Sequence, residues 1–320
     1  MRALSSQSFG RSSVAAALVV LGATAAPLAA QDPPLVGRWD LRVTGLEGQY
    51  PSWLEVTRSG HATYVGRYVG AVGSARPISQ VELTSTGFQF AIPRQWEQET
   101  NDLRVEGRVD GDRMSGTLVT PSGQRHTWTA VRAPTLRRAT TPSWGAPITL
   151  FNGRDKSGWR VFGGADKWTV VDGVLTNAGG GGNLATERTF DDFKLLVEFR
   201  YPRGSNSGIY LRGRYEVQIE DPAGKPELGP HDIGGIYGFL PPNENAARAP
   251  GEWQTYEITL VGRRVTVVLN GKAVVADQII PGITGGALDS DEAAPGPIFI
   301  QGDHGPVEIR RVVLTPARGG

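Results

Sequence analysis

Within residues 206–221, NSGIYLRGRYEVQIED, the polar side chains fall in phase. Tyr210, Arg212, Glu216, Gln218 and Glu220 hold even positions, while Ile209, Leu211, Tyr215, Val217 and Ile219 hold odd ones. Side chains on a strand alternate between faces, so a hairpin here offers one apolar face and one carrying a guanidinium, carboxylates and an amide. A three-residue turn at Gly213, Arg214 and Tyr215 would set Arg212 opposite Glu216 and Tyr210 opposite Gln218. Such a face is either plain solvent surface or the floor of a binding groove.

Other residues could add chemistry to that floor. His304 lies in QGDHGP, beside Asp303 and close to Gln301. An imidazole next to a carboxylate can serve as general acid or base near neutral pH, the alternative being an exposed loop residue. His231, with Asp221 and Asp303, supplies the nitrogen and oxygen donors of a divalent metal site, although no dedicated ligand spacing marks one. Asp221 ends its strand, where a turn cap is the commoner role. The acidic run Asp289, Asp291 and Glu292 reads as a solvated loop, since it lacks the spacing of a calcium-binding loop.

The elements that must position these residues are strands. Residues 35–133 contain eight short strand patterns, from GRWDLRV to HTWTAVR, separated by turn signals such as Asp110-Gly111-Asp112. They predict a β-meander closing into a small barrel or folding as a sandwich over residues 31–135. Residues 136–147, rich in proline and without periodicity, read as a linker. A second β-rich domain occupies residues 148–320. Its clearest local signal is Asn270-Gly271 between RVTVVL and KAVVA, a type I′ hairpin that turns Val265, Val267 and Leu269 to the core. Loops at 221–251 and 276–296 are long enough to be functional or disordered.

Residues 1–30 carry Arg2 and Arg11 ahead of an apolar, alanine-rich run to Ala30. That is the pattern of a cleaved secretory signal, which predicts an exported, periplasmic or secreted protein with no membrane insertion after cleavage. The chain has no cysteine, so neither disulfides nor a lipidated cysteine can contribute. With 33 Lys and Arg against 32 Asp and Glu, and no basic block, the charge argues against a nucleic-acid partner. Composition thus predicts an all-β protein of two domains.

Six ordered segments carry a resemblance: LFNGRDKSGW, WTVVDGVL, SNSGIYLRGRYEVQIED, GGIYGF, PGEWQTYEI and GPIFIQGDHGPVEIRRV. Over residues 147–317 the chain resembles the 3-keto-disaccharide hydrolase family. The resemblance implies a concanavalin-like jelly roll that cleaves a glycoside already oxidised at C3 by a separate sugar 3-oxidoreductase. A C3 carbonyl acidifies the C2 hydrogen, so a modest base can remove it and the C1 oxygen can leave, after which water adds back; direct hydrolysis is the other route. The resemblance implies catalytic roles for Glu216 as base or metal holder, Arg212 on the C3 oxygen, and His304. It also implies substrate contacts from Asn206, Tyr210, Gln218, Tyr237, Trp253 as a stacking platform, and Gln301. In many family members the loop reads Gln-Asp-His-Gly, so Gly302 stands here as an insertion.

Two other functions fit the same face. A classical two-carboxylate glycosidase would use Glu216 and Glu220, but four strand residues separate their Cα atoms by roughly 13 Å, against carboxyl groups about 5–5.5 Å apart in a retaining mechanism. A non-catalytic carbohydrate-binding module would use the same amides and aromatics without turnover.

Overall fold

A computed structural model describes residues 32–95 and 97–318, so the secretory-signal segment lies outside the described residues. Pro33–Gly320 form one compact unit, which contains both β-structures. Among the described residues there is no helix.

The first eight strands follow the meander expected from sequence. They are β1 (Gly37–Gly45), β2 (Gly48–Ser59), β3 (Thr63–Val69), β4 (Arg76–Leu83), β5 (Phe88–Ile92), β6 (Leu103–Asp110), β7 (Arg113–Val119) and β8 (Arg125–Arg132). Each pairs with the next, and β8 returns to β1 in a register from Trp39↔Arg132 to Thr44↔Thr127, closing a barrel. Closure removes the exposed edges that an open meander would leave. Alternation turns Trp39, Leu41, Leu54, Phe90, Val105 and Trp128 inward, where they are buried together.

The second half is a sandwich of antiparallel sheets. Strands β9 (Ile148–Thr149), β10 (Trp159–Phe162), β11 (Trp168–Val171), β12 (Val174–Asn177), β13 (Asn183–Thr186) and β14 (Phe193–Arg200) come first. Then follow β15 (Asn206–Leu211), β16 (Tyr215–Glu220), β17 (Gln254–Val261), β18 (Arg264–Leu269), β19 (Lys272–Ile279), β20 (Phe299–Ile300) and β21 (Val307–Pro316). One sheet runs β10-β13-β20-β15-β16; the other runs β11-β12-β21-β14-β17-β18-β19, with β9 against β21. Sequence neighbours such as β14 and β15 lie in different sheets, as a jelly roll requires. The β18–β19 hairpin turns on Asn270 (φ 50°) and Gly271 (φ 85°), as the Asn-Gly signal predicts, and Val265, Val267 and Leu269 are buried.

Barrel and sandwich share a core. Trp53 and Val69, from the barrel, are buried among the sandwich residues, and Trp53 meets Phe239 edge-on at 5.5 Å. The Trp53 ring packs against Gly282, where any β-carbon would overlap it. The Gly286 amide donates to the Ala71 carbonyl at 2.9 Å, tying a sandwich loop to the β3–β4 loop of the barrel.

Candidate active site

The β15–β16 hairpin differs from its expected register. Tyr210 lies opposite Glu216 and Leu211 opposite Tyr215, so the three connecting residues are Arg212, Gly213 and Arg214, one position earlier than expected, with Arg212 and Gly213 at positive φ (51° and 67°) and the Arg214 amide on the Leu211 carbonyl at 3.1 Å. That is the dihedral signature of a type I′ turn, in which arginine is an uncommon occupant. Arg212 is therefore a turn residue rather than a partner of Glu216, and its side chain leaves the polar face altogether. It is fully buried, donating to Asp191 Oδ1 at 2.9 Å, the Gly262 carbonyl at 2.9 Å and the Tyr215 hydroxyl at 3.1 Å. The expected role of Arg212 on a substrate carbonyl is thus corrected: the guanidinium braces the far side of the hairpin.

The polar face of the hairpin is not solvent surface. The segment 234–240 adds along β16, with the Gly234 amide on the Gln218 carbonyl and the Tyr237 amide on the Glu216 carbonyl. On the other side the loop after β19 crosses the hairpin, with the Thr284 amide on the Arg214 carbonyl and the Leu288 amide on the Gly213 carbonyl. These loops are the two whose length marked them in the sequence. Together they roof the face and leave a cavity of about 110 Å³.

Glu216 lies at the bottom of that cavity, 3% exposed. Its carboxylate rests over Gly208, where a β-carbon would overlap Oε1, so only glycine leaves room for it. Tyr210, stacked on Phe299 with ring centroids 3.8 Å apart, holds its hydroxyl 2.8 Å from both Glu216 Oε2 and the Gly285 carbonyl. One phenol proton cannot serve two acceptors fully. With Glu216 protonated, the carboxyl donates to the phenol oxygen and the phenol donates to Gly285, so every group is satisfied. Burial raises the Glu216 carboxyl to about 8, against the opposing pull of the Tyr210 hydrogen bond. The carboxyl therefore holds a proton it can exchange near neutral pH.

His304 and Asp303 stand at the cavity mouth. Asp303 Oδ1 lies 2.7 Å from His304 Nδ1; this contact raises the imidazole, against the effect of burial, and lowers the carboxyl. With Nδ1 committed to Asp303, Nε2 is the nitrogen free to act on a ligand. Gly302, the insertion, is pinned by its amide to Asn183 Oδ1 at 2.8 Å and by its carbonyl to the Gly181 amide at 2.9 Å.

Gln218 and Gln301 also line the cavity, and the amide Oε1 of each is buried without a hydrogen-bond partner. Two unpaired acceptors beside a carboxyl are costly unless a ligand supplies donors, as sugar hydroxyls do. Asn206 and Tyr237 complete the expected substrate contacts on the cavity wall. Trp253 does not. It sits outside the cavity between the Arg200 and Arg310 guanidinium groups, at 4.8 and 4.4 Å, and those cations occupy its faces in place of a sugar.

The residues considered for a metal are not brought together. Asp221 accepts from the Gly204 and Ala223 amides; burial notwithstanding, these bonds hold its carboxyl below the usual range, as a turn cap. His231 is exposed and packs edge-on against Tyr237, 5.1 Å between centroids. Asp303 is engaged with His304. Among the described residues, no three His, Cys, Asp or Glu side chains converge. The acidic run is a solvated loop only in part: Asp291 is exposed, but Glu292 is fully buried, accepting from the Tyr215 hydroxyl at 2.9 Å, with Arg263 at 3.6 Å.

Sequence reasoning missed Asn183, Phe299, Gly285 and Gly286 as lining residues, together with Val72 and Gly73 from the barrel. Phe299 and Gly285-Gly286 stand in segments that the strand pattern and loop length had marked, whereas nothing local to Val72 or Asn183 points to a site.

Residues 146–315 match the model of a family described as 3-keto-alpha-glucoside-1,2-lyase-like domain. A 3-keto-disaccharide hydrolase of Bacteroides thetaiotaomicron is 34% identical over 95 residues, 26% of this chain and 32% of the relative. The chain thus spans about a third of the length of that curated relative. Two candidate glycosyl hydrolases of Parabacteroides distasonis, known from crystal structures, are 30% and 21% identical. Their alignments cover 56% and 53% of this chain and 92% and 93% of theirs, with TM-scores of 0.46 and 0.43. With more than half its length matched, the chain belongs to the 3-keto-alpha-glucoside-1,2-lyase-like domain family.

Proposed function

We propose that the protein cleaves the glycosidic bond of 3-keto-disaccharides or related 3-keto-glycosides by elimination followed by hydration. Glu216, as carboxylate, removes the proton from C2, which the C3 carbonyl has acidified. The electron pair moves first into an enolate on the C3 oxygen. It then forms the C1=C2 bond as the C1–oxygen bond breaks. His304, protonated, gives its proton to the departing oxygen, and Asp303 stabilises the imidazolium beforehand. Water then adds at C1, and the proton returns to C2. With Arg212 turned away, the Tyr237 hydroxyl on the cavity wall donates to the enolate oxygen, and Gln218 and Gln301 accept from ring hydroxyls.

The observation that carries this reading is the single buried carboxyl, raised to about 8, with an imidazole–carboxylate pair at the same cavity. A retaining glycosidase needs a second free carboxyl about 5–5.5 Å away; Glu220 does not line the cavity and faces Gln218 and Lys225 instead. A binding module gains nothing from a carboxyl poised to exchange its proton. We further propose that the protein acts after export, on ketones supplied by an enzyme that oxidises the C3 hydroxyl.

The test is incubation of the full chain with a 3-keto-disaccharide and with its unoxidised parent. Cleavage of the ketone alone is expected, with Glu216→Gln lowering the rate about 10²–10⁴-fold, the usual worth of a general base. Equal cleavage of the parent, or a fully active Glu216→Gln protein, would overturn the reading.

A further inference from the structure

The family match begins at residue 146, yet the site does not end there. Val72 and Gly73, in the β3–β4 loop of the barrel, form part of the cavity wall. They are built into it. The Gly286 amide bonds to Ala71, and the backbone of Gly73 lies so close to Gly285 that a β-carbon on Gly285 would overlap the Gly73 carbonyl. Gly238, at the other roofing segment, is packed as tightly against Ser74 and Ala75. Gly285 in turn accepts from Tyr210, the neighbour of Glu216. The barrel loop is therefore joined to the reacting carboxyl through two residues, Gly285 and Tyr210.

Polarity divides the cavity. Its floor presents Glu216, Gln218, Gln301 and the Tyr210 hydroxyl, all buried, which suits an oxidised sugar ring with its hydroxyls. Its barrel-side rim presents Val72, an aliphatic side chain 65% exposed although it stands beside a polar site. A cavity of about 110 Å³ closes around one ring at most, so the group attached at C1 must emerge over the rim. Resting on the proposed reaction, we infer that the barrel supplies a leaving-group subsite, in which Val72 receives an apolar, aryl aglycone. The barrel then acts as a specificity element for the sandwich site.

The test compares the full chain with Val72→Asp, using phenyl and methyl 3-keto-glucosides. Val72 lies outside the acid–base machinery, and its exposure lets the variant fold, which a thermal melt verifies. The expected result is a KM for the phenyl substrate raised about tenfold more than that for the methyl substrate. Equal effects on both substrates, or none on either, would overturn the subsite. A binding arm with the unoxidised phenyl and methyl glucosides reads the same contact without turnover, and there the variant should weaken only the phenyl compound. If neither ketone is cleaved by the native protein, the proposed reaction fails while the binding arm still decides the subsite.

Discussion

At Glu216 the balance of burial against one hydrogen bond sets the pH at which the base is ready. In the proposed reaction the carboxylate is the active form, so turnover should rise as pH passes about 8 and fall where the imidazolium of His304 is lost. Tyr210 lowers the Glu216 carboxyl through its hydroxyl, so Tyr210→Phe removes a hydrogen bond that favours the charged form. The rising limb of kcat/KM against pH should then move to higher pH, by about one unit if the lost bond is worth about 1.4 kcal/mol. An unmoved limb would mean that another group sets it. Glu216, Gln218 and Tyr210 were legible in the sequence because a period of two places them together whatever the turn. Arg212 was not, since its place depends on whether the three-residue turn spans 212–214 or 213–215. A non-glycine residue at φ 51° is chosen by tertiary bonds, to Asp191, Gly262 and Tyr215, which local pattern does not contain.

At the scale of the hairpin, β15 and β16 are held by different chemistry on their two sides. One side carries the site; the other carries Arg212, Tyr215, Glu292 and Arg263, a buried ionic cluster. Breaking a buried pair by removing one partner costs about 3–5 kcal/mol, because the other charge is left unpaired. Asp191 retains some solvent contact, which places Arg212→Ala near the low end. The variant should lose stability in urea unfolding by about 3 kcal/mol, while the folded fraction keeps its kcat/KM within a few-fold. Loss of turnover in fully folded protein would return Arg212 to the chemistry. The strands themselves were legible from alternation, and the two roofing loops from their length. Which face they cover was not, because it rests on backbone bonds such as Tyr237 to Glu216.

Over the whole molecule, several acids are buried where barrel and sandwich meet. Asp40, in the barrel, is raised to about 9 by burial and by the nearby Glu292; Glu292 is raised by burial, against the pull of Arg263, and Glu216 reaches about 8. In the unfolded chain these carboxyls lose their protons near pH 4. Between pH 4 and 9 the folded state thus binds more protons than the unfolded one, and stability falls as pH rises. His304, also raised, contributes with the same sign. Acids lowered on folding, Asp155 and Asp303 among them, have given their full contribution by pH 5 and do not oppose the trend. Thermal unfolding should accordingly show a lower Tm at pH 9 than at pH 5; a rise would show that these acids ionise within the fold. The eight strands of the first half were legible in alternation and turn signals, and the sandwich of the second in the family resemblance. Their joining was not, since Trp53 on an outer strand face reads as ordinary strand surface until Gly282 is set against it.

The proposed reaction rests on Glu216 taking a carbon-bound proton. The direct measurement is the rate of cleavage of a 3-keto-disaccharide carrying deuterium at C2 of the oxidised ring, against its protium form, below pH 8. A primary isotope effect on kcat/KM is predicted. Equal rates, with cleavage still dependent on the Glu216 carboxyl, would contradict proton abstraction from C2 as the step this cavity was built to perform.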